Sequence, residues 1–337
     1  MAAIYTRNEV IAMLLLERGA ETNTHSGRYT NALALAAMKN NVALVQALLN
    51  AKVEYDLLLA AVVDLDLQIK VKSLRLVLMV AIWMDRLDII EEILAYKEQR
   101  QLGNDVTSMA SLILRHGRLE TTFDTEFAPF IGYTALQLAV AASRPKAIEV
   151  VDRLLAAGAN TNEAASNEGL TALQEAARNG NIYIVDILLR AGAAVNGISS
   201  YRGTALQAAA KYGHVTIVEM LLAAGAEVDG HVGGGSTALQ AAAKYDHVTI
   251  VEMLLAAGAQ VDKRGKGQGT ALQAAALHGN FKVVKILLVA GAGVGPGGHL
   301  ARSNAAKAGH IEMANLIGRA LRGREEEEEA RMDAAPA

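Results

Sequence analysis

The chain has 337 residues and not one cysteine, which excludes a disulfide scaffold and Cys-ligated zinc and fits an intracellular protein. Aromatic residues are scarce, at 4%, against an apolar content of 52%. A core of that kind is built from Ala, Leu and Val, side chains small enough for helices to approach closely. It is also too apolar for a disordered chain. An excess of positive charge is missing: 32 Lys and Arg stand against 35 Asp and Glu, for a net charge of -3. A globally basic, nucleic-acid-coating protein is thereby excluded. Long apolar runs are absent too. The longest, Leu57–Val63 and Leu76–Met84, fall far short of the roughly 18 residues a membrane span needs. Near the N-terminus, the run Val10–Leu16 is followed by Glu17-Arg18-Gly19 and not by a small-residue cleavage site. The expectation is a soluble, unprocessed chain of about two ordinary domains' length.

What the sequence does have is repetition. Thr-Ala-Leu begins at 134, 171, 204, 237 and 270, at intervals of 37, 33, 33 and 33. A Gly-Ala pair follows in each unit, its Gly at 158, 192, 225, 258 and 291. Segments 204–226 and 237–259 differ at one position of 23, Gly213 against Asp246. A period this strict means stacked supersecondary units rather than one closed core.

One unit is readable residue by residue. Thr204-Ala-Leu-Gln207 has capping-box spacing, and Leu206, Ala209 and Ala210 form an apolar stripe. Gly213 breaks that first helix. Ile217, Val218, Leu221 and Leu222 mark one face of a second helix, which Gly225 ends. About a dozen turn-rich residues lead to the next Thr. Each unit is therefore helix, turn, helix, extended loop.

These residues resemble the ankyrin-repeat family, whose consensus runs Thr-Pro-Leu-His-x-Ala, Gly-His, Val-Val-x-Leu-Leu, Gly-Ala-x-Val-Asn. The matching runs are Thr204-Ala-Leu-Gln-Ala-Ala-Ala210, Gly213-His214, Ile217-Val-Glu-Met-Leu-Leu222 and Gly225-Ala-Glu-Val-Asp229, with Ala for Pro and Gln for His. Together with Gly27-Arg-Tyr-Thr-Asn-Ala-Leu33, the variant is similar to the arrays of filamentous fungi. The resemblance implies an all-α solenoid of stacked helix-turn-helix units with loop or β-hairpin connectors and an irregular N-terminal third.

Four segments follow. Residues 1–130 hold degenerate units with a helical insertion at 57–75. Residues 131–297 hold five regular repeats, 298–321 a capping repeat, and 322–337 an acidic tail with the run Glu325–Glu329. Within the first segment, 10–20 read as a second helix without its first. That is either a half-unit cap or the inside of a longer array. Residues 31–56 and 76–97 each read as a unit, the latter turning at Asp85-Arg86. Residues 108–122 read as a first helix turning at Gly117, and 123–132 as an irregular loop. The glutamate run either extends the last helix or is disordered.

Enzyme-like signals fade on inspection. His214, His247 and His310 recur at one place in their units. Equivalent residues of stacked helices lie about 8–10 Å apart, too far to share a zinc ion at about 2.0–2.1 Å. They read as turn histidines bonded to backbone. Gly293-Val-Gly295-Pro-Gly297-Gly298 matches G-x-G-x-x-G, but a helix precedes it and no acidic residue lies near 318. Gly265-Lys-Gly-Gln-Gly269 lacks the Gly-Lys-Ser/Thr of a P-loop. No HExxH, GxSxG or kinase signature occurs. The expectation is no enzyme, no metal and no cofactor.

The variable positions are where specificity must reside. In ankyrin-like stacking, first-helix ends and loop tips line one concave face. Carried onto this chain, that places Arg178, Asn179, Lys211, Tyr212, Lys244, Tyr245 and His278 in one row. Tyr201, Arg202 and Arg264 lie at loop tips, alongside His231, Lys263 and Lys266. Tyr and Arg often anchor protein interfaces. The row is basic, so the expected partner is a protein segment that is acidic or phosphorylated. The principal reading is a non-enzymatic interaction scaffold inside the cell, in cytoplasm or nucleus. The alternative is an ankyrin-type transcription coregulator of a fungal regulatory or secondary-metabolism pathway. An enzyme or enzyme accessory comes last. Without a basic-region helix or zinc cluster, direct DNA binding is not expected.

Overall fold

The structure is a computed structural model. It describes residues 9–18, 32–51, 77–99, 133–164, 170–197, 203–230, 235–265, 269–293 and 296–333. The expectations for 57–75, 108–122 and 123–132 lie outside those residues. By contacts the chain divides into two compact units, Met1–Ala172 and Leu173–Ala337.

In the first unit, α1 (Glu9–Glu17) packs on α3 (Val42–Ala51), which pairs with α2 (Ala32–Met38). A helical segment at 77–83 turns at Asp85 into α4 (Leu87–Gln99). The pair α5 (Ala135–Ala141) and α6 (Ala147–Ala156) follows, with α4 packed on both α3 and α6. Leu44, Ile89, Ile90, Ile93 and Leu154 are fully buried. Their burial stabilises by about 1.5–3 kcal/mol each. Lys97 is buried as well, and its ammonium donates to the carbonyl of Ala157 at the C-terminal end of α6. Burial pushes its pKa below the ordinary lysine value, partly opposed by the nearby Glu98.

The second unit is more regular. Helix pairs α7–α8 (Ala172–Asn179, Ile182–Arg190), α9–α10 (Ala205–Tyr212, Val215–Ala223), α11–α12 (Ala238–Lys244, Val248–Ala256) and α13–α14 (Ala271–His278, Phe281–Val289) follow one another. A last pair, α15 (Pro296–Lys307) and α16 (Ile311–Asp333), completes the unit. The first helix of α7–α8 starts at the unit boundary. First helices α9, α11, α13 and α15 pack on one another in order, and second helices α8, α10, α12, α14 and α16 do the same. Buried Ala209, Ala210, Ala242, Ala243, Ala275 and Ala276 keep the first helices thin where they touch. Ile217, Val218 and Leu221, with their counterparts, fill the space to the second helices.

Thr204, Thr237 and Thr270 each accept from the backbone N–H of the Gln three residues on, and that Gln accepts from the Thr N–H. The same box opens α5 at Thr134. Among the described residues the connectors form turns and one isolated antiparallel bridge, Gly265 to Gly269, and no named strand. Helix α15 has Pro296 at its first position, where proline's missing N–H costs nothing, and includes Gly297 and Gly298. A side-chain carbon on Gly298 would sit 2.4 Å from Leu321 and 2.6 Å from the Gly293 carbonyl, so this glycine serves packing. The glutamate run lies within α16, which continues to Asp333. Among the described residues no helix is long and apolar enough to cross a membrane.

Candidate functional site

Each first helix buries its alanines against neighbours and leaves its final turn outward. Lys211 and Tyr212 end α9, and Lys244 ends α11 with Tyr245 as its C-cap. Both tyrosines are nearly half exposed, at 47% and 45%. The Tyr212 ring lies 6.4 Å from the His214 ring with planes inclined 22°, and Tyr245 meets His247 at 6.3 Å and 29°. The Lys211 ammonium sits 5.2 Å from the Tyr212 ring centre, and Lys244 sits 5.4 Å from that of Tyr245. Such cation–π contacts contribute about 0.5–1 kcal/mol at exposed sites and fix the ammonium over the ring.

The histidines lock this row from one repeat to the next. The ring Nε2 of His214 is 3.0 Å from the carbonyl oxygen of Arg178, and that of His247 is 3.1 Å from the carbonyl of Lys211. Asn280 takes the place of a third histidine, donating to the carbonyls of Ala243 at 2.7 Å and Lys244 at 2.9 Å. Each latch therefore holds the backbone under the exposed side chains of the preceding repeat. Among the described residues no group of three or more His, Cys, Asp or Glu is placed to hold a metal ion.

The bases of the connectors are clamped by a second device. The Gln207 side-chain amide donates to the carbonyls of Gly230 and Ser236, both at 2.8 Å. Gln240 does the same to Lys263 at 2.9 Å and Gly269 at 2.8 Å. Each glutamine thus closes the base of a connector belonging to its own repeat's exit, and Arg264 projects from the closed loop as an exposed residue.

Of the expected row, Lys211, Tyr212, Lys244 and Tyr245 form two matching cassettes. Asn179 is exposed at the end of α7. Arg178 is half-buried beside it, its guanidinium 3.6 Å from the carboxylate of buried Glu175, one oxygen of which has no hydrogen bond. His278 is exposed but turns its Nδ1 toward the carbonyl of Ala274 on its own helix, at 3.0 Å. Tyr201 and Arg202, with His231 and Lys266, lie outside the described residues. Sequence reasoning missed the lysines' place over the rings. The adjacency Lys-Tyr-x-His was visible, but only the fold shows that consecutive residues at a helix end share one surface.

A family model described as ankyrin repeats (3 copies) matches the chain over residues 138–231 and 230–297. Residues 138–297 carry ankyrin repeats. A search of curated proteins finds no match. The ankyrin match covers the regular helix pairs and includes both Lys-Tyr cassettes. Ankyrin repeats support a role in protein–protein interaction, and nothing in the matched segment is a catalytic motif.

Proposed function

We propose that the ankyrin repeats of the second unit hold a protein partner along the row from Arg178 to His278. Tyr212 and Tyr245 are its anchors, and the chain acts as a non-enzymatic scaffold or adaptor. The observation that carries this reading is the repeated cassette: a half-exposed tyrosine, flanked by a histidine ring and a lysine ammonium, at the same place in two consecutive repeats. Ring contacts already made before binding leave less freedom to lose on binding, which favours affinity. Lys211, Lys244, Arg178 and Arg264 give the row positive charge. An acidic or phosphorylated segment is therefore the partner the row favours.

The protein works inside the cell, in cytoplasm or nucleus, wherever that partner is. If the partner is a transcription factor, the chain is a coregulator of a fungal-type pathway, acting by docking and not by reading DNA. A salt titration of DNA binding separates the two, because direct phosphate contacts give a steep loss of affinity with salt.

The experiment starts from a partner captured from the native host and re-expressed in pure form. Tyr212→Ala together with Tyr245→Ala should weaken its binding by roughly 30-fold or more, as loss of interface anchors does, and leave helicity unchanged. Undiminished binding by the folded double variant would place the partner elsewhere.

A further inference from the structure

We infer that a second copy of this chain docks on the helix-turn edge of the second unit, beside the partner row. The first residue of each second helix is apolar in five consecutive pairs: Ile182, Val215, Val248, Phe281 and Ile311. Four of them are substantially exposed, at 41%, 39%, 37% and 58% for Ile182, Val215, Phe281 and Ile311. Val248 is partly exposed. One such residue on a surface is ordinary, whereas a column of them across a stack makes a continuous apolar strip. With neighbouring helices about 8–10 Å apart, five positions span roughly 40 Å. A strip that long and about 15 Å wide buries roughly 600 Å² per copy, which reaches the lower limit for a specific dimer.

Charge selects the occupant. On the first-helix side of the strip stand Lys211 and Lys244, both exposed. On the second-helix side, one turn further along α10 and α12, stand Glu219 and Glu252, also exposed. Across the Val215 and Val248 positions the edge is thus a pair of cations, an apolar strip and a pair of carboxylates, whereas at Phe281 the corresponding residue is Lys285, its ammonium 4.9 Å from the ring centre. A twofold axis running along the strip brings the cations of one copy over the carboxylates of the other, and apolar strip over apolar strip. An interface of that kind is self-complementary, as a twofold dimer requires. A wholly acidic partner would meet Glu219 and Glu252 with like charge, which disfavours it here.

The test is sedimentation analysis of the full-length chain, with helicity checked for every variant. The wild type should form a concentration-dependent dimer that weakens with salt. Lys211→Glu with Lys244→Glu should raise the dimer dissociation constant at least tenfold, and so should Glu219→Lys with Glu252→Lys. Combining all four substitutions should bring the dimer back. A wild type that stays monomeric overturns the inference. So does a dimer indifferent to either charge reversal, or a folded fourfold variant that remains a monomer. A monomer whose Glu219→Lys/Glu252→Lys form binds an acidic partner more tightly would assign the edge to that partner instead. Because the glutamate pair lies off the tyrosine row, the dimer and the partner row can fail separately.

Discussion

At Asp246 a single side chain decides how two nearly identical repeats differ. Its φ is +60°, in the left-handed region that glycine occupies at little cost. Gly213, the equivalent residue, has φ +81°. Relieving the strain by Asp246→Gly should stabilise the protein by about 1 kcal/mol or less. The reverse change is not its mirror image. A Cβ on Gly213 would come within 2.7 Å of the His247 ring, the latch of the next repeat. Beyond Asp246 the latch is Asn280, whose shorter side chain reaches the carbonyls of Ala243 and Lys244 without a ring. Gly213→Asp should therefore destabilise by about 2 kcal/mol or more, combining backbone strain with displacement of the histidine. Chemical denaturation of both variants checks the pair. Equal and opposite shifts would mean that the latch residue plays no part.

Among the elements, the first helix of each repeat depends on its glutamine more than on its threonine. Gln207 accepts from the Thr204 N–H at 2.7 Å and donates twice to the connector, so every bonding position of its amide nitrogen is used. Gln207→Ala leaves the N–H of Thr204 and the carbonyls of Gly230 and Ser236 without this partner. The expected cost is roughly 2–4 kcal/mol, since each buried group so orphaned costs about 1–3 kcal/mol. Thr204→Ala removes one capping acceptor and should cost about 1 kcal/mol. Denaturation midpoints in that order support the clamp, and a larger loss for Thr204→Ala would reject it. The capping box itself was legible in the sequence, because its partners are three residues apart. So was the left-handed turn, from the exchange of Gly213 for Asp246. The clamp was not, because the glutamine's other partners lie 23 and 29 residues away and a carbonyl has no sequence signature. The lysine over each tyrosine ring escaped notice for a related reason: neighbours in sequence at a helix end meet only if the next turn bends away. The start of α15 at Pro296 was hidden by the glycines around it, which read as connector.

For each unit as a whole, repeat architecture makes stability a sum of neighbour contacts, so the ends should open before the middle. In the second unit, α10 to α14 have packed helices on both sides. The far end differs. Leu321 is the last residue of α16 described as buried, and Arg322, Gly323 and Glu326 beyond it are exposed. From there to Asp333 the helix runs through Glu325–Glu329, and acidic residues near a helix C-terminus oppose its dipole. Arg322 precedes Glu326 by four residues. That spacing contributes only about 0.2–0.5 kcal/mol per pair, and salt screens it. Hydrogen exchange should accordingly find the amides of α10 to α14 slowest in this unit. The amides after Leu321 should exchange at nearly the rate of an isolated helix. Protection after Leu321 matching that of α10 would mean the acidic end of α16 has a packed partner, and charge reversal at Glu326 would then be the way to find it.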